Sequence, residues 1–373
     1  MKKVLVAVLC LVLVASCLGI LAACNKKTST GYEIAVVTDV GQLMDGGFNQ
    51  GTYEGAKAFA EANGKTYKYY QPANGADATD NDRVAAMRLA IQNGAKVIVA
   101  PGFLQADAMT TVATEHPEVK FIFVDGWALG LNNVTAIVYK EQESGFLAGY
   151  AAVKDGYTKL GGTFGGGGSN PACNRFAYGF VQGAIAAAGN TDVEIKVSYK
   201  FGSSFSSSTE LQAQIAGWYS AGTQVVFSCG GSMVNSVIAA AGETQNGKVI
   251  GVDVDQAGLS TRVITSAVKG LSASVQLVLR EFYAGEWDAK LANKASNLGA
   301  AEDATGLPTT EGSWRFTTFT LAEYNTLFNQ IKTGAVTPLS EVPSNCNDAA
   351  WWTAQAAALN LAAGSHVVVT LEA

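Results

Sequence analysis

Histidine is almost absent from this chain of 373 residues, since only His116 and His366 occur. Neither lies near a candidate nucleophile or a group of metal ligands in the sequence. General acid–base catalysis would therefore depend on carboxylates alone, and nothing in the sequence pairs them. The sequence argues against an enzyme, and we expect neither a cofactor nor a bound metal.

Cysteine is also scarce beyond the first 24 residues. Six cysteines occur in all, of which Cys173, Cys229 and Cys346 follow that segment. An odd number at scattered positions is neither a disulfide framework nor a metal-binding cluster. We expect buried free thiols, with one disulfide pair left open as the alternative outside the cytoplasm.

Several ligand-binding motifs are missing or incomplete. No block of lysine or arginine follows the N-terminus, so we expect no nucleic-acid partner. The glycine run at residues 165–168 lacks the G-K-[ST] of a P-loop and the spacing of G-x-G-x-x-G. Residues 266–269 match S-x-x-K and residues 332–334 match K-T-G, as in penicillin-binding proteins. No S-D-N lies between them and their separation is short, so we set that enzyme class aside.

The N-terminus has the pattern of a targeting segment. Two lysines precede a nearly continuous apolar stretch at residues 4–20, and L-A-A-C ends at Cys24. This matches a bacterial lipobox, so we predict a signal peptide at residues 1–23 and a lipid on Cys24. A plain secretory signal is the alternative. No later apolar run is long enough to span a membrane, so the lipid would hold the protein on the extracytoplasmic face of the cell membrane.

The rest of the chain alternates apolar strands with helical patterns. Residues 96–100 and 120–124 are continuous apolar runs, and helices are predicted before and after them. Continuous apolar strands indicate parallel sheets that are covered on both faces. Around residue 140 the pattern starts again and continues to the strand at residues 248–252. We therefore predict an α/β fold with two similar lobes that face each other across a cleft.

The boundaries of the predicted lobes follow from this restart. A short polar tether, residues 24–31, precedes the N-terminal lobe. We assign residues 32–139 and about 257–292 to the N-terminal lobe. The C-terminal lobe takes residues 140–256 and about 293–342, and residues 294–312 are predicted to be a loop. Residues 343–373 form a C-terminal extension that contains two tryptophans and packs at a position that the sequence leaves open.

Side chains that could contact a ligand follow several of the predicted strands. Asp39, Phe48 and Asn49 lie in a glycine-rich stretch between the strand at residues 34–37 and a helix. Asp125 and Asp253 each end a strand in the same way. Ligands of open α/β sheets bind at the carboxyl ends of strands. The alternative is helix N-capping, which is common for aspartate, and Asn49 either donates to a ligand or caps its helix.

Six short motifs are similar to those of one bacterial family. They are T-D-V-G followed by F-N-Q within residues 38–50, E-S-G-F-L-A-G at 143–149, R-F-A-Y-G-F at 175–180, F-G-S-S-F at 201–205, V-I-G-V-D-V-D-Q at 249–256 and T-S-A-V-K at 265–269. Each motif is weak alone, but their order and spacing make the match specific. Residues 32–340 therefore resemble the basic membrane protein (BMP) family of lipoproteins, also called purine nucleoside receptor A-like (PnrA-like) proteins.

The resemblance implies a fold and a set of site residues. The implied fold is the type I periplasmic-binding-protein fold, with two Rossmann-like lobes of parallel sheets joined by a multi-strand hinge. Two aromatic rings would enclose a purine base, one from Phe48 and the other from Phe205, or from Phe201 because this chain has one extra serine. The remaining implied site residues are Asp39, Asn49, Gly102, Asp125, Gly230, Asp253, Lys269 and, with less weight, Asp255.

The resemblance also implies a function. It predicts a monomeric, non-catalytic, lipid-anchored receptor that delivers a nucleoside, preferably a purine nucleoside, to the permease of an ABC transporter. One alternative is a receptor of the same fold for a sugar or another small solute. A second alternative is a surface lipoprotein that binds a host macromolecule.

Overall fold

The structure, a computed structural model, describes residues 31–40 and 42–372. The predicted signal peptide and Cys24 lie outside these residues. No helix among the described residues is long and apolar enough to cross a membrane. The strands are β1 (Ile34–Val37), β2 (Tyr67–Tyr70), β3 (Val97–Pro101), β4 (Lys120–Val124), β5 (Val134–Tyr139), β6 (Lys159–Phe164), β7 (Val193–Ser198), β8 (Val225–Cys229), β9 (Lys248–Asp253), β10 (Val263–Lys269), β11 (Ala295–Leu298), β12 (Thr305–Gly306) and β13 (Val367–Leu371). The α-helices are α1 (Phe48–Ala62), α2 (Asp80–Gln92), α3 (Ala106–Glu115), α4 (Glu141–Lys154), α5 (Pro171–Ala188), α6 (Thr209–Ser220), α7 (Met233–Gly242), α8 (Leu271–Tyr283), α9 (Leu321–Lys332) and α10 (Ala349–Ala363).

The strands form two sheets, one in each lobe. The first has the order β11-β5-β4-β3-β1-β2, and all its pairs are parallel. The second has the order β12-β10-β9-β8-β6-β7-β13 and is parallel except for the β10–β12 pair. Each sheet carries buried apolar clusters. The predicted α/β fold with two parallel sheets is confirmed.

Within residues 31–40 and 42–372, the chain crosses between the lobes at three places. These are the junction of β5 with α4, the junction of β10 with α8, and the segment between β11 and β12. Two side chains of α4 bind these crossings together. Glu143 accepts hydrogen bonds from the Ala300 amide and the Thr305 hydroxyl, at 2.6 and 2.8 Å. The Ser144 hydroxyl donates to the Val268 carbonyl and accepts from the Gly306 amide. This arrangement is a multi-strand hinge.

Two predicted lobe assignments were wrong. Residues 257–292 were assigned to the N-terminal lobe, but β10 lies in the second sheet beside β9. Only the later part of this range, α8 and the helical turn Trp287–Leu291, packs on the first lobe. Residues 294–312 were predicted to be a loop of the C-terminal lobe, but β11 joins the first sheet beside β5 and β12 joins the second. The strands of both sheets are apolar, so the hydrophobicity of a strand does not indicate which sheet it joins. The short strands β11 and β12 have no alternating apolar pattern to reveal them.

The C-terminal extension packs on the second lobe. Helix α10 buries Trp352 in the core of that lobe, and β13 adds a parallel strand beside β7 at the edge of the sheet. The extension therefore belongs to the second lobe.

Candidate functional site

A cavity lies between the lobes at the carboxyl ends of both sheets. The space between its walls, counted together with the solvent at its mouth, is about 560 Å³. Nine of the predicted site residues line it: Asp39, Phe48, Asn49, Gly102 and Asp125 from the first lobe, and Phe205, Gly230, Asp253 and Lys269 from the second. Residues more than 200 positions apart in sequence thus share one cavity.

The loop before α1 is fixed by Asp45. Its carboxylate accepts hydrogen bonds from the backbone amides of Gly47, Asn49 and Gln50 and from the Asn49 side chain, at 2.8 to 3.2 Å. The Asn49 side-chain oxygen in turn accepts the Asp39 amide at 3.0 Å. Helix capping was one of the two roles predicted for Asn49, but Asp45 caps the helix instead. Asn49 positions Asp39. Sequence reasoning missed Asp45, although it lies within the opening motif.

Asp39 is a buried carboxylate with spare hydrogen-bonding capacity. Its Oδ1 has no hydrogen-bond partner, and burial raises its pKa to about 7 against the opposing effect of Arg83. Gly102 lies directly against it with a φ of +99°. A Cβ at position 102 would lie 2.0 Å from Asp39 Oδ2, so only glycine fits there without moving the carboxylate.

Lys269 forms ion pairs with carboxylates of both lobes. Its ammonium group, on the last residue of β10, lies 2.5 Å from Asp125 of the first lobe and 3.3 Å and 3.8 Å from Glu141 and Asp253. Burial alone would lower the pKa of Lys269, but these three carboxylates raise it well above its usual value. Burial raises the pKa of Asp253 to about 7 and raises that of Asp125 in spite of the ammonium. Lys269 is therefore a buried cation.

Glu141 supports Lys269 from behind the cavity wall. Its other oxygen accepts a hydrogen bond from Arg175 Nε at 2.6 Å. Burial would raise the pKa of Glu141, but Lys269 and Arg175 together lower it. Sequence reasoning missed Glu141, because its role depends on two basic side chains that are distant in sequence.

The aromatic rings come from both lobes. Phe48 and Phe205 line the cavity from opposite lobes, and the buried Phe176 adds a third ring. Lys269 Nζ lies 5.1 Å from the centre of the Phe48 ring and 5.4 Å from that of Phe176. Phe201 instead packs against the apolar cluster around Leu211, away from the cavity. Of the two phenylalanines left open in the second lobe, Phe205 is therefore the one that faces the cavity.

Asp255 also lies outside the cavity. It bonds to the Ser313 hydroxyl and to the Ala257 amide at 3.0 Å, so it holds the loop that follows β9. The low-weight prediction that Asp255 lines the site was wrong.

Three cavity residues have unusual backbone conformations. Asp125, Phe205 and Asp253 have φ values of 58°, 56° and 68°. Aspartate adopts this left-handed region at modest cost, but a phenylalanine there is uncommon. Such strain tends to occur at functional positions, where the surrounding structure maintains it.

Sequence reasoning missed further residues of the cavity wall. Asn170, Cys173 and Cys229 line it beside Phe176, which lies within the R-F motif. Cys173, Cys229 and Cys346 are all buried free thiols, as predicted. No cluster of metal ligands occurs among the described residues.

Comparison with known families assigns the chain to one of them. The family model described as ABC transporter substrate-binding protein PnrA-like matches residues 32–325, which is most of the chain. The chain belongs to the PnrA-like family. The family assignment predicted from the six sequence motifs is therefore confirmed.

Named relatives of this PnrA-like protein occur in several bacteria. The ABC transporter nucleoside-binding protein BmpA of Lactococcus lactis is 32% identical over 276 residues, covering 69% of this chain and 75% of that protein. The CD4+ T-cell-stimulating antigen of Listeria monocytogenes is 28% identical and covers 75% of this chain and 81% of the relative. Basic membrane protein B of Borreliella burgdorferi is 30% identical and covers 58% and 64%.

Solved structures share the fold of this PnrA-like chain at low sequence identity. An ABC transporter solute-binding protein from Aeropyrum pernix K1 has a TM-score of 0.72 and 21% identity, covering 89% of this chain and 99% of that one. A transcriptional activator of the comK gene from Bacillus halodurans has a TM-score of 0.63 and 18% identity, covering 83% and 99%. Proteins with different roles share the architecture, so these similarities establish the type I periplasmic-binding-protein fold alone.

Proposed function

We propose that this substrate-binding protein holds a nucleoside, preferably a purine nucleoside, in the cavity between its lobes. The observation that carries the proposal is that one cavity brings together aromatic rings from both lobes, the buried Asp39 and Asp253, and the largely buried Asp125. A flat base gains about 1–3 kcal/mol from each stacked aromatic face. Ribose hydroxyls need fixed acceptors, and carboxylates supply two acceptor oxygens each.

The buried carboxylates support a ligand rich in hydroxyl groups. Asp39 Oδ1 and Asp125 Oδ1 are buried without hydrogen-bond partners. An unpaired buried acceptor costs about 1–3 kcal/mol, which a donor on a ligand would offset. A nucleoside whose hydroxyls donate to these oxygens fits this requirement.

In this proposal the protein has no catalytic activity. A lipid on Cys24 keeps it beside an ABC permease on the extracytoplasmic face, and it works as a monomer. A ligand that contacts both lobes favours the closed arrangement, because it has its full set of contacts only there. The family assignment supports the permease partner.

Calorimetric titration with adenosine, guanosine, inosine, ribose and galactose tests the proposal. We expect the purine nucleosides to bind and the free sugars to bind at least about 100-fold more weakly, since they lack a base to stack. Binding of ribose or galactose without binding of any nucleoside would overturn the nucleoside assignment and support the sugar receptor instead.

A further inference from the structure

The C-terminal extension lies beyond the region that the family model matches, which ends at residue 325. It is nonetheless firmly packed, because Trp352 and Cys346 are fully buried and β13 pairs along its whole length with β7. The indole N–H of Trp352 donates to the Cys346 carbonyl at 2.8 Å, which fixes the segment before α10.

This fixed segment lies against a glycine loop, residues 165–170, that follows β6. The Cys346 amide donates to the Gly168 carbonyl at 2.9 Å. Gly168 has a φ of +92°, and a Cβ there would lie 2.7 Å from Asn345 Oδ1 and 2.8 Å from the Asn347 nitrogen. The loop and the extension thus approach each other so closely that they form one packed unit.

The opposite side of the glycine loop supports the ligand cavity. A Cβ on Gly165 would lie 2.4 Å from two ring atoms of Phe205, so the ring rests on the loop backbone. The Gly166 amide donates to the Gly202 carbonyl at 3.0 Å, which ties the loop to the segment that carries Phe205. Asn170, at the end of the loop, itself lines the cavity.

We propose that the C-terminal extension is a positioning element of the ligand site, which acts through the glycine loop on the ring of Phe205. Phe205 has a left-handed backbone, with a φ of 56°, so its position depends on the contacts around it. Trp352 holds Cys346, Cys346 holds Gly168, and the glycine loop carries the ring. This inference rests on the proposed function only in its use of a nucleoside as the probe.

The test is a double-mutant cycle between Trp352 and Phe205, read out by calorimetric titration with adenosine. Trp352→Phe removes the indole donor and keeps a buried aromatic ring. We expect this change to weaken adenosine binding about 3- to 10-fold, as for the loss of one hydrogen bond. In a Phe205→Ala background the same change should have less than about a twofold effect, because the ring through which it acts is gone.

Tyr178→Phe is the matched control. It removes the hydrogen bond from the Tyr178 hydroxyl to Gln355 of the same extension, at 2.8 Å, but no contact to the glycine loop. It should leave adenosine affinity within about twofold of wild type. Unchanged affinity in folded Trp352→Phe protein would overturn the proposal, and so would an equal loss of affinity with and without Phe205.

Hydrogen exchange separates failure of this proposal from failure of the proposed function. In ligand-free protein, Trp352→Phe should speed the exchange of the Gly166 and Phe205 amides and leave the amides of α2 unchanged. If Trp352→Phe does not fold, Gly168→Ala disturbs the contact between the glycine loop and the extension from the loop side. It should likewise weaken adenosine binding and speed the exchange of the Gly166 and Phe205 amides. Wild-type protein that binds no nucleoside would overturn the proposed function, and unchanged exchange in residues 165–170 would overturn the positioning role.

Discussion

Phe48 is the residue through which we propose that the first lobe selects a nucleoside, because its ring faces the cavity from that lobe. Phe48→Ala should weaken adenosine binding about 5- to 150-fold, since one stacked face contributes about 1–3 kcal/mol. Ribose, if it binds at all, should lose much less. Phe201→Ala is the matched control, because that ring lies outside the cavity. Equal losses for the two variants, measured by calorimetric titration, would contradict the assignment of Phe48.

The buried carboxylates predict how stability depends on pH. Burial raises the pKa values of Asp39 and Asp253 to about 7, so the folded protein keeps protons that the unfolded chain loses above about pH 4. The free energy of unfolding of ligand-free protein should therefore fall as pH rises from about 4 to about 7. Denaturant unfolding at pH 5 and pH 8 measures this change, which Asp253→Asn should reduce. Asp255→Asn, outside the cavity, is the control, and a steeper fall in Asp253→Asn would contradict the account.

Nucleoside binding should show the opposite dependence on pH. Hydroxyls that donate to Asp39 and Asp253 favour the ionised carboxylates, so binding releases protons near pH 7. Adenosine affinity should rise between pH 5.5 and pH 8, and calorimetry in buffers of different ionisation enthalpy should detect the released protons. Proton uptake on binding would contradict the role of these carboxylates as acceptors.

At the scale of elements, the sequence predicted most strands and helices but not their partners. Strands such as β3 and β4 are continuous apolar runs, because helices cover both of their faces. Such a run can be recognised in a single sequence. The sequence does not reveal which sheet β10 joins, because that depends on which strand is available to pair with it. Six of the nine predicted residues that line the cavity lie within the motifs, and Gly102, Asp125 and Gly230 directly follow strands. Glu141 and Asp45 were missed because they act on other protein groups.

The hinge depends on α4 through Glu143, whose carboxylate binds the Ala300 amide and the Thr305 hydroxyl. Glu143→Gln should lower the free energy of unfolding by about 1–3 kcal/mol, because hydrogen bonds to a charged acceptor are lost or weakened. Denaturant unfolding measures the effect. Glu54→Gln, at an exposed position on α1, is the control and should change stability by less than about 0.5 kcal/mol. A Glu143→Gln protein as stable as wild type would show that the hinge does not need this carboxylate.

At the scale of the whole molecule, the charge of the cavity leads us to expect uncharged ligands rather than anionic ones. Among the described residues that line the cavity, Lys269 is the only cation, and three carboxylates already surround its ammonium group. A phosphate would add negative charge beside them without gaining an unpaired cation. We expect adenosine 5′-monophosphate to bind at least about 100-fold more weakly than adenosine in competition titrations. Affinities within about threefold of each other would contradict this picture of the site.

Polar contacts across the cleft join residues that are distant in sequence. Lys269 of the second lobe contacts Asp125 of the first, and the Gln256 side chain donates to the Gly46 carbonyl across the cleft at 2.9 Å. These contacts hold the two lobes together. In the proposed function, a ligand enclosed between the lobes adds its own contacts to both and shifts the population toward this arrangement.

A crystal structure of the protein with adenosine tests the central claim most directly. We predict that the base lies between the rings of Phe48 and Phe205, with ribose hydroxyls within about 3.2 Å of at least two of Asp39, Asp125 and Asp253. Adenosine bound outside this cavity, or bound inside it with the base away from both rings, would contradict the account.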